Sequence, residues 1–163
     1  MLKKICFGWK EETKLSQTYV IKLDKDALDE YIKAYFITYP RRRKIPIDKP
    51  IVPSLNKYIV MNKDARNELK ERWEEFVYHT LDRQGLLNLQ LEKCKVSITY
   101  VFPDKRRSDL DNRVPKMVFD GLTYAGFWKD DNRFVIPEIH FYSDYEARNP
   151  HMIIEVETLE NEK

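Results

Sequence analysis

Apolar and polar positions along the chain fall into a few regular patterns. Between Asn62 and Gly85, Ala65, Leu69, Trp73, Phe76, Val77 and Leu81 recur at steps of three and four, which predicts an amphipathic helix. Asn62 stands where an N-cap belongs and Gly85 just past the last turn. Glu68, Lys70, Glu71, Glu74 and Glu75 form the polar side. His79 has no companion at ligand spacing, so it reads as a structural or surface imidazole rather than a metal ligand. Residues 93–102, KCKVSITYVF, alternate and are rich in β-branched side chains, which predicts a strand stopped by Pro103. Phe134 to Tyr142 and His151 to Thr158 predict two more strands, joined as a hairpin through the turn SDYEARNP.

The first third is less regular. Two apolar runs, LKKICFGW and TYVIKL, flank a polar segment within residues 1–24 and suggest a loosely connected hairpin. Helical character comes next, but Lys33 to Tyr39 is rich in aromatic and β-branched residues and is expected to be a strand. Prolines at 40, 46, 50 and 53 then rule out helix and predict a long ordered loop or an extended arm. The element order describes a mixed α/β (α+β) single domain, a small mixed sheet with two main helices packed on it. Residues 33–163 would form this domain, and residues 1–32 an N-terminal extension of unassigned structure.

Composition narrows the class. The 163 residues are 42% hydrophobic and 13% aromatic, a globular rather than disordered profile. Cys6 and Cys94 are far apart and fit neither a disulfide framework nor a thiolate metal site, which suits a reducing cytoplasm. No apolar run approaches the length of a membrane span and no secretory leader pattern is present, so a membrane partner is not expected. The net charge of +2 says little about a polyanionic partner. Its distribution says more: Arg41, Arg42, Arg43 and Lys44 form one basic island and Lys105, Arg106 and Arg107 another. Such runs are either solvated loops or parts of a phosphate-binding face.

The chemistry concentrates between Lys105 and Asp131, KRRSDLDNRVPKMVFDGLTYAGFWKDD. Asp109 and Asp111 flank Leu110, so on an extended segment both carboxylates would leave from the same face. A helix is expected next, capped by Asp111 or Asn112, with Pro115 in its first turn and Val114, Met117, Val118, Leu122 and Ala125 on its apolar face. Gly126 ends it, Phe127 and Trp128 serve as anchors, and Asp130 and Asp131 sit in a turn. Carboxylates at both ends of one helix suit Mg²⁺, which takes oxygen ligands and activates water against phosphate. Lys116 would set a cation beside that phosphate, with Arg106, Arg107 and Arg113 holding the backbone. The competing reading makes the aspartates a helix cap and a turn, with the bases balancing them.

The segments RRSDLDN, Lys116 and FDGLTYAGFWKDD together resemble the signature of the RusA-type Holliday junction resolvases, endonucleases of bacteria and phages that act on branched DNA. The resemblance implies that Asp109, Asp111 and Asp131 bind metal and that Lys116 is the catalytic lysine, with Asn112 accompanying them. PSLNKY resembles the family's entry motif and nominates Asn56 and Tyr58 near the site. Arg113, Val114 and Pro115 place Lys116 five residues after Asp111, where the family usually has four. Residues 1–32 and the RRRKIPIDKPI segment carry no recognised counterpart.

The expected protein is a metal-dependent (Mg²⁺, or Mn²⁺) endodeoxyribonuclease that hydrolyses phosphodiesters of four-way junction DNA. The resemblance implies a symmetric homodimer, which also matches the two-fold symmetry of a junction. The alternatives are a flap or fork nuclease of the same chemistry and a branched-DNA-binding protein without catalysis.

Overall fold

The computed structural model describes residues 16–160. The first apolar run of the expected N-terminal hairpin therefore lies outside the described residues. The second is β1, Thr18–Leu23, which turns Ile21 and Leu23 into the core. It pairs antiparallel with β4, His151–Thr158, placing Ile21 opposite Ile154. β4 pairs on its other side with β2, Cys94–Phe102, also antiparallel. β3, Glu138–Tyr145, runs parallel to β2, so the sheet order is β1-β4-β2-β3 and the sheet is mixed. Cys94, Val96, Ile98 and Tyr100 of β2 and Met152, Ile154 and Val156 of β4 make one face of the sheet apolar.

The expected β3–β4 hairpin is corrected by this order. The two strands are consecutive and antiparallel, yet β2 lies between them. The link between them steps over the end of β2, where the Glu146 amide donates to the Phe102 carbonyl at 3.0 Å and the Arg148 amide to the Pro103 carbonyl at 3.1 Å. β4 belongs in the interior because its inward residues are fully buried, whereas β3 is exposed along almost its whole length and forms an edge. Strand β3 also begins four residues later than expected: Val135 and Ile136 are buried in the turn that leads into it.

A second correction concerns Lys33 to Tyr39, which is helix rather than strand. α1 spans Lys25–Thr38, with the Asp24 carboxylate accepting the Ala27 amide at 2.9 Å. Leu28, Tyr31 and Tyr35 are its buried residues, a three-and-four spacing that runs through the aromatic segment. The division between residues 32 and 33 thus falls inside a helix whose two halves bury one stripe.

After the proline-rich loop comes a short helix, α2, Leu55–Ile59, and then the main helix α3, Lys63–Gln84. α3 starts and stops as its sequence predicts. Asn62 accepts the Ala65 amide, and Gly85 takes the left-handed conformation at φ 68°. A polar cluster joins α3 to α1. Arg72 Nη1 donates to both Glu75 carboxylate oxygens at 2.9 and 2.8 Å, while Tyr31 and Tyr39 donate to the same carboxylate at 2.7 and 3.0 Å. Burial, together with the Glu75 hydrogen bond, pushes the Tyr31 phenol well above its ordinary value.

The last helix, α4, spans Lys116–Tyr124, buries Met117, Val118, Phe119, Gly121 and Leu122, and packs on α3, where Gly121 meets Val77. It starts later than expected. Pro115 occupies the N-cap position and no side chain caps it, so Asp111 and Asn112 are not its caps. Beyond α4 the chain is bracketed against residues 88–91: Asn88, Gln90 and Leu91 donate their amides to the carbonyls of Ala125, Gly126 and Phe127 at 2.9–3.1 Å. Gly126 is required there, since its φ is +66° and a Cβ would fall 2.7 Å from Asn88 Oδ1. Phe127 and Trp128 are fully buried, and Trp128 Nε1 donates to Thr123 Oγ1 at 2.7 Å. This bracket reverses the chain and leads it into the turn that carries Asp130 and Asp131. Among the described residues no helix is long and apolar enough to cross a membrane.

Candidate functional site

The loop from Pro103 to Pro115 leaves the end of β2 and carries most of the nominated residues. Asp109 and Asp111 do not sit on an extended segment. The Asn112 amide donates to the Asp109 carbonyl at 3.2 Å, closing a turn with Leu110 and Asp111 in the middle. Leu110 tucks against the core while both aspartates remain exposed. Arg107 lies 4.0 Å from Asp109, and among the described residues no hydrogen bond or ion pair engages the Asp111 carboxylate. Arg106 and Arg107 are exposed, as a phosphate contact requires.

Asn112 and Arg113 hold this turn to the protein. Ser54 and Arg113 form a short bridge, the Leu55 amide donates to the Asn112 carbonyl at 3.2 Å, and the Asn56 amide donates to Asn112 Oδ1 at 3.3 Å. The side chain of Asn112 is therefore spent on the start of α2, whereas that of Asn56 is exposed beside it. Arg113, nominated as a phosphate contact, is likewise committed to the protein. Its guanidinium donates to the Val52 carbonyl and to Ser108 Oγ, both at 3.1 Å, and lies 4.8 Å over the Phe102 ring. Burial lowers its pKa, offset in part by Tyr100.

Lys116 is the first residue of α4, so the additional residue before it is absorbed by the loop and not by the helix. Its ammonium donates to Asp120 Oδ1 at 2.8 Å, one turn further on. That hydrogen bond is the main cause of its raised pKa. Burial opposes the rise, while the charges of Asp120, Asp131 and the nearby Tyr58 phenol add to it. The charge of Asp131, in the turn beyond α4, is thus felt at Lys116. The acidic doublet divides its work. Asp130 accepts the Asp131 amide at 2.8 Å and Asn132 Nδ2 at 2.7 Å, and these bonds hold its carboxyl below the ordinary range. Asp131 is left exposed.

Asp120 is not among the residues that the sequence nominates, although its position four residues after Lys116 is a signal for a paired side chain. Cys94 is buried and its thiol is pushed up to about 11 by that burial. Among the described residues no three His, Cys, Asp or Glu side chains stand together so as to hold a metal ion. The nominated carboxylates nevertheless fit Mg²⁺ in kind: Asp109, Asp111 and Asp131 are hard oxygen donors, exposed and weakly engaged.

The family model Endodeoxyribonuclease RusA matches residues 9–157, and the chain belongs to that family. The match begins well ahead of residue 33. Among curated proteins, the chain is 35% identical over 92 residues to the crossover junction endodeoxyribonuclease RusA of Shigella sonnei strain Ss046, covering 55% of this chain and 75% of the relative. The protein of the same name from Escherichia coli K12 is 36% identical over 92 residues, and that of Enterobacteria phage 82 is 35% identical, each with the same coverage.

Proposed function

We propose that this chain is a crossover junction endodeoxyribonuclease that hydrolyses phosphodiesters of four-way DNA junctions. The observation that carries the reading is the placement of Lys116. It opens α4, four residues after the turn that bears Asp109 and Asp111 closes at Asn112, and feels the charge of Asp131. Arg106 and Arg107, exposed just upstream, bind the DNA backbone and bring a phosphate toward the loop. The Lys116 ammonium, held against Asp120, offsets charge that develops on the phosphate oxygens.

Asp109, Asp111 and Asp131 are the residues that would hold Mg²⁺, which supplies an activated water and a Lewis acid when bound. The protein acts as a homodimer, because a two-fold assembly presents one site to each of two strands in a two-fold substrate. The edge strand β3 offers a surface for this, with unpaired backbone groups and exposed Ile139, Phe141, Tyr142 and Tyr145.

The test is cleavage of a synthetic four-way junction, a flap and a linear duplex, each with Mg²⁺, Mn²⁺ or EDTA, with sedimentation equilibrium for the assembly. Metal-dependent nicking of the junction is expected, and Asp111→Asn should bind the junction normally while cutting it at least about a hundredfold more slowly. Junction binding without any metal-dependent nicking would leave a DNA-binding protein and overturn the enzymatic reading. Equal cutting of all three substrates would remove junction selectivity.

A further inference from the structure

We infer that Asp120 is a positioning residue that holds the Lys116 ammonium at the start of α4, ready for the scissile phosphate. The inference rests on the catalytic role proposed above for Lys116. The two ends of the contact differ in freedom: the Lys116 side chain is 71% exposed, whereas that of Asp120 is 14% exposed. Asp120 is flanked by buried Phe119 and Gly121 on a helix packed against α3, so its carboxylate is a fixed point. Lys70 of α3 approaches its second oxygen at 3.4 Å, and that oxygen is buried with no hydrogen-bond partner among the described residues. The lysine stem has four rotatable bonds and would otherwise sweep through solvent. The 2.8 Å contact restricts it to one region beside the start of α4.

Helix stability accounts for the pair only weakly. A cation at the first helical position opposes the helix dipole, and a lysine placed N-terminal to its acidic partner is the weaker of the two orders at this spacing. The lysine occupies the end of the helix that favours it least. It gains a purpose if what matters is where the ammonium stands when DNA arrives, since pre-placing a charged group lowers the cost of orienting it in the transition state. When a phosphate enters, the ammonium, which has three N–H donors, can keep Asp120 and donate to the phosphate as well.

The test is a cycle of Asp120→Asn, Lys116→Ala and the double variant. Single-turnover cleavage of a four-way junction is measured at saturating protein with Mg²⁺, and junction affinity is measured separately in EDTA. Asp120→Asn is expected to slow cleavage roughly tenfold. Affinity should stay within about twofold, since phosphate contacts made elsewhere dominate it. In the Lys116→Ala background the Asp120→Asn change should have no further effect. The same fractional loss in both backgrounds would show Asp120 acting independently of Lys116, and an unchanged rate in Asp120→Asn would show it idle; either overturns the inference while leaving the catalytic reading of Lys116 intact. Wild-type cleavage by Lys116→Ala would instead end that reading and this inference with it. Asp120→Ser carries the same cycle if Asp120→Asn does not fold.

Discussion

Gly121 of α4 lies so close against Val77 of α3 that a Cβ on the glycine would fall 2.8 Å from Val77 Cβ and 3.1 Å from each of its methyl groups. Val77 is fully buried in the core, so it has nowhere to retreat. The contact sets how near the helix bearing Lys116 and Asp120 approaches the main helix. Gly121→Ala is therefore expected to destabilise the protein by roughly 1–3 kcal/mol through overpacking. Val77→Ala should relieve part of that cost. Urea denaturation of both single variants and the double checks this: the double should be more stable than the sum of the singles implies, by about 0.5 kcal/mol or more. Strict additivity would mean that the two residues do not press on each other.

His79 provides a pH dependence with a definite sign. It lies half-buried on α3 with its ring centroid 6.2 Å from that of Tyr31, and its Nδ1 is buried without a hydrogen-bond partner among the described residues. Burial is the main reason its pKa is lowered from 6.5, with Arg83 adding to the effect and Asp82 and Glu30 opposing it. The unfolded chain then binds the proton more readily than the folded one. Stability is fully present above pH 6.5 and falls as the pH drops from there through the folded-state pKa. The midpoint of urea unfolding should therefore drop between pH 7.5 and 5 by more in the wild type than in His79→Gln, these pH values being about one unit and more either side of the ordinary histidine pKa. Equal slopes in the two proteins would refute the assignment.

What the sequence discloses and what it hides divide along physical lines. α3 was legible because its signals are local: Asn62 caps it, Gly85 stops it, and the apolar stripe between them is long. β4 kept its expected bounds because alternation and burial agree over the whole strand. The neighbours of β4 were not legible. Nothing local in SDYEARNP says that the chain must cross the end of β2 before it turns back, since strand order is a long-range property. In α1 the run KAYFITY carries strand-like residue types, and the contacts of Tyr35 and Tyr39 with Arg72 and Glu75 of α3 overrode that preference. At the site, the acidic and basic residues were legible by type, but their roles required geometry. Arg113 and Asn112 make intramolecular bonds that their types alone did not announce, while Asp120 passed for part of a helix and contacts Lys116.

Asn112 yields the most direct separation of fold from function. It serves the start of α2 in two ways, accepting the Leu55 amide on its carbonyl and the Asn56 amide on Oδ1, while its own amide closes the turn back to Asp109. Ser54 already accepts the Lys57 amide, so together the two residues satisfy three of the free donors at that helix end. Asn112→Ala deletes only the Oδ1 contact, at an exposed amide that water can satisfy, and should cost about 0.5–1 kcal/mol of stability. The turn that carries Asp109 and Asp111 loses its side-chain tie to α2, so junction cleavage should fall by roughly tenfold or more while junction binding in EDTA persists. Asn112→Asp keeps an acceptor in place near a helix N-terminus and should melt close to the wild type. Thermal melts alongside cleavage assays distinguish the outcomes: if Asn112→Ala cuts junctions at the wild-type rate, the tie between α2 and the aspartate turn does not matter to the site.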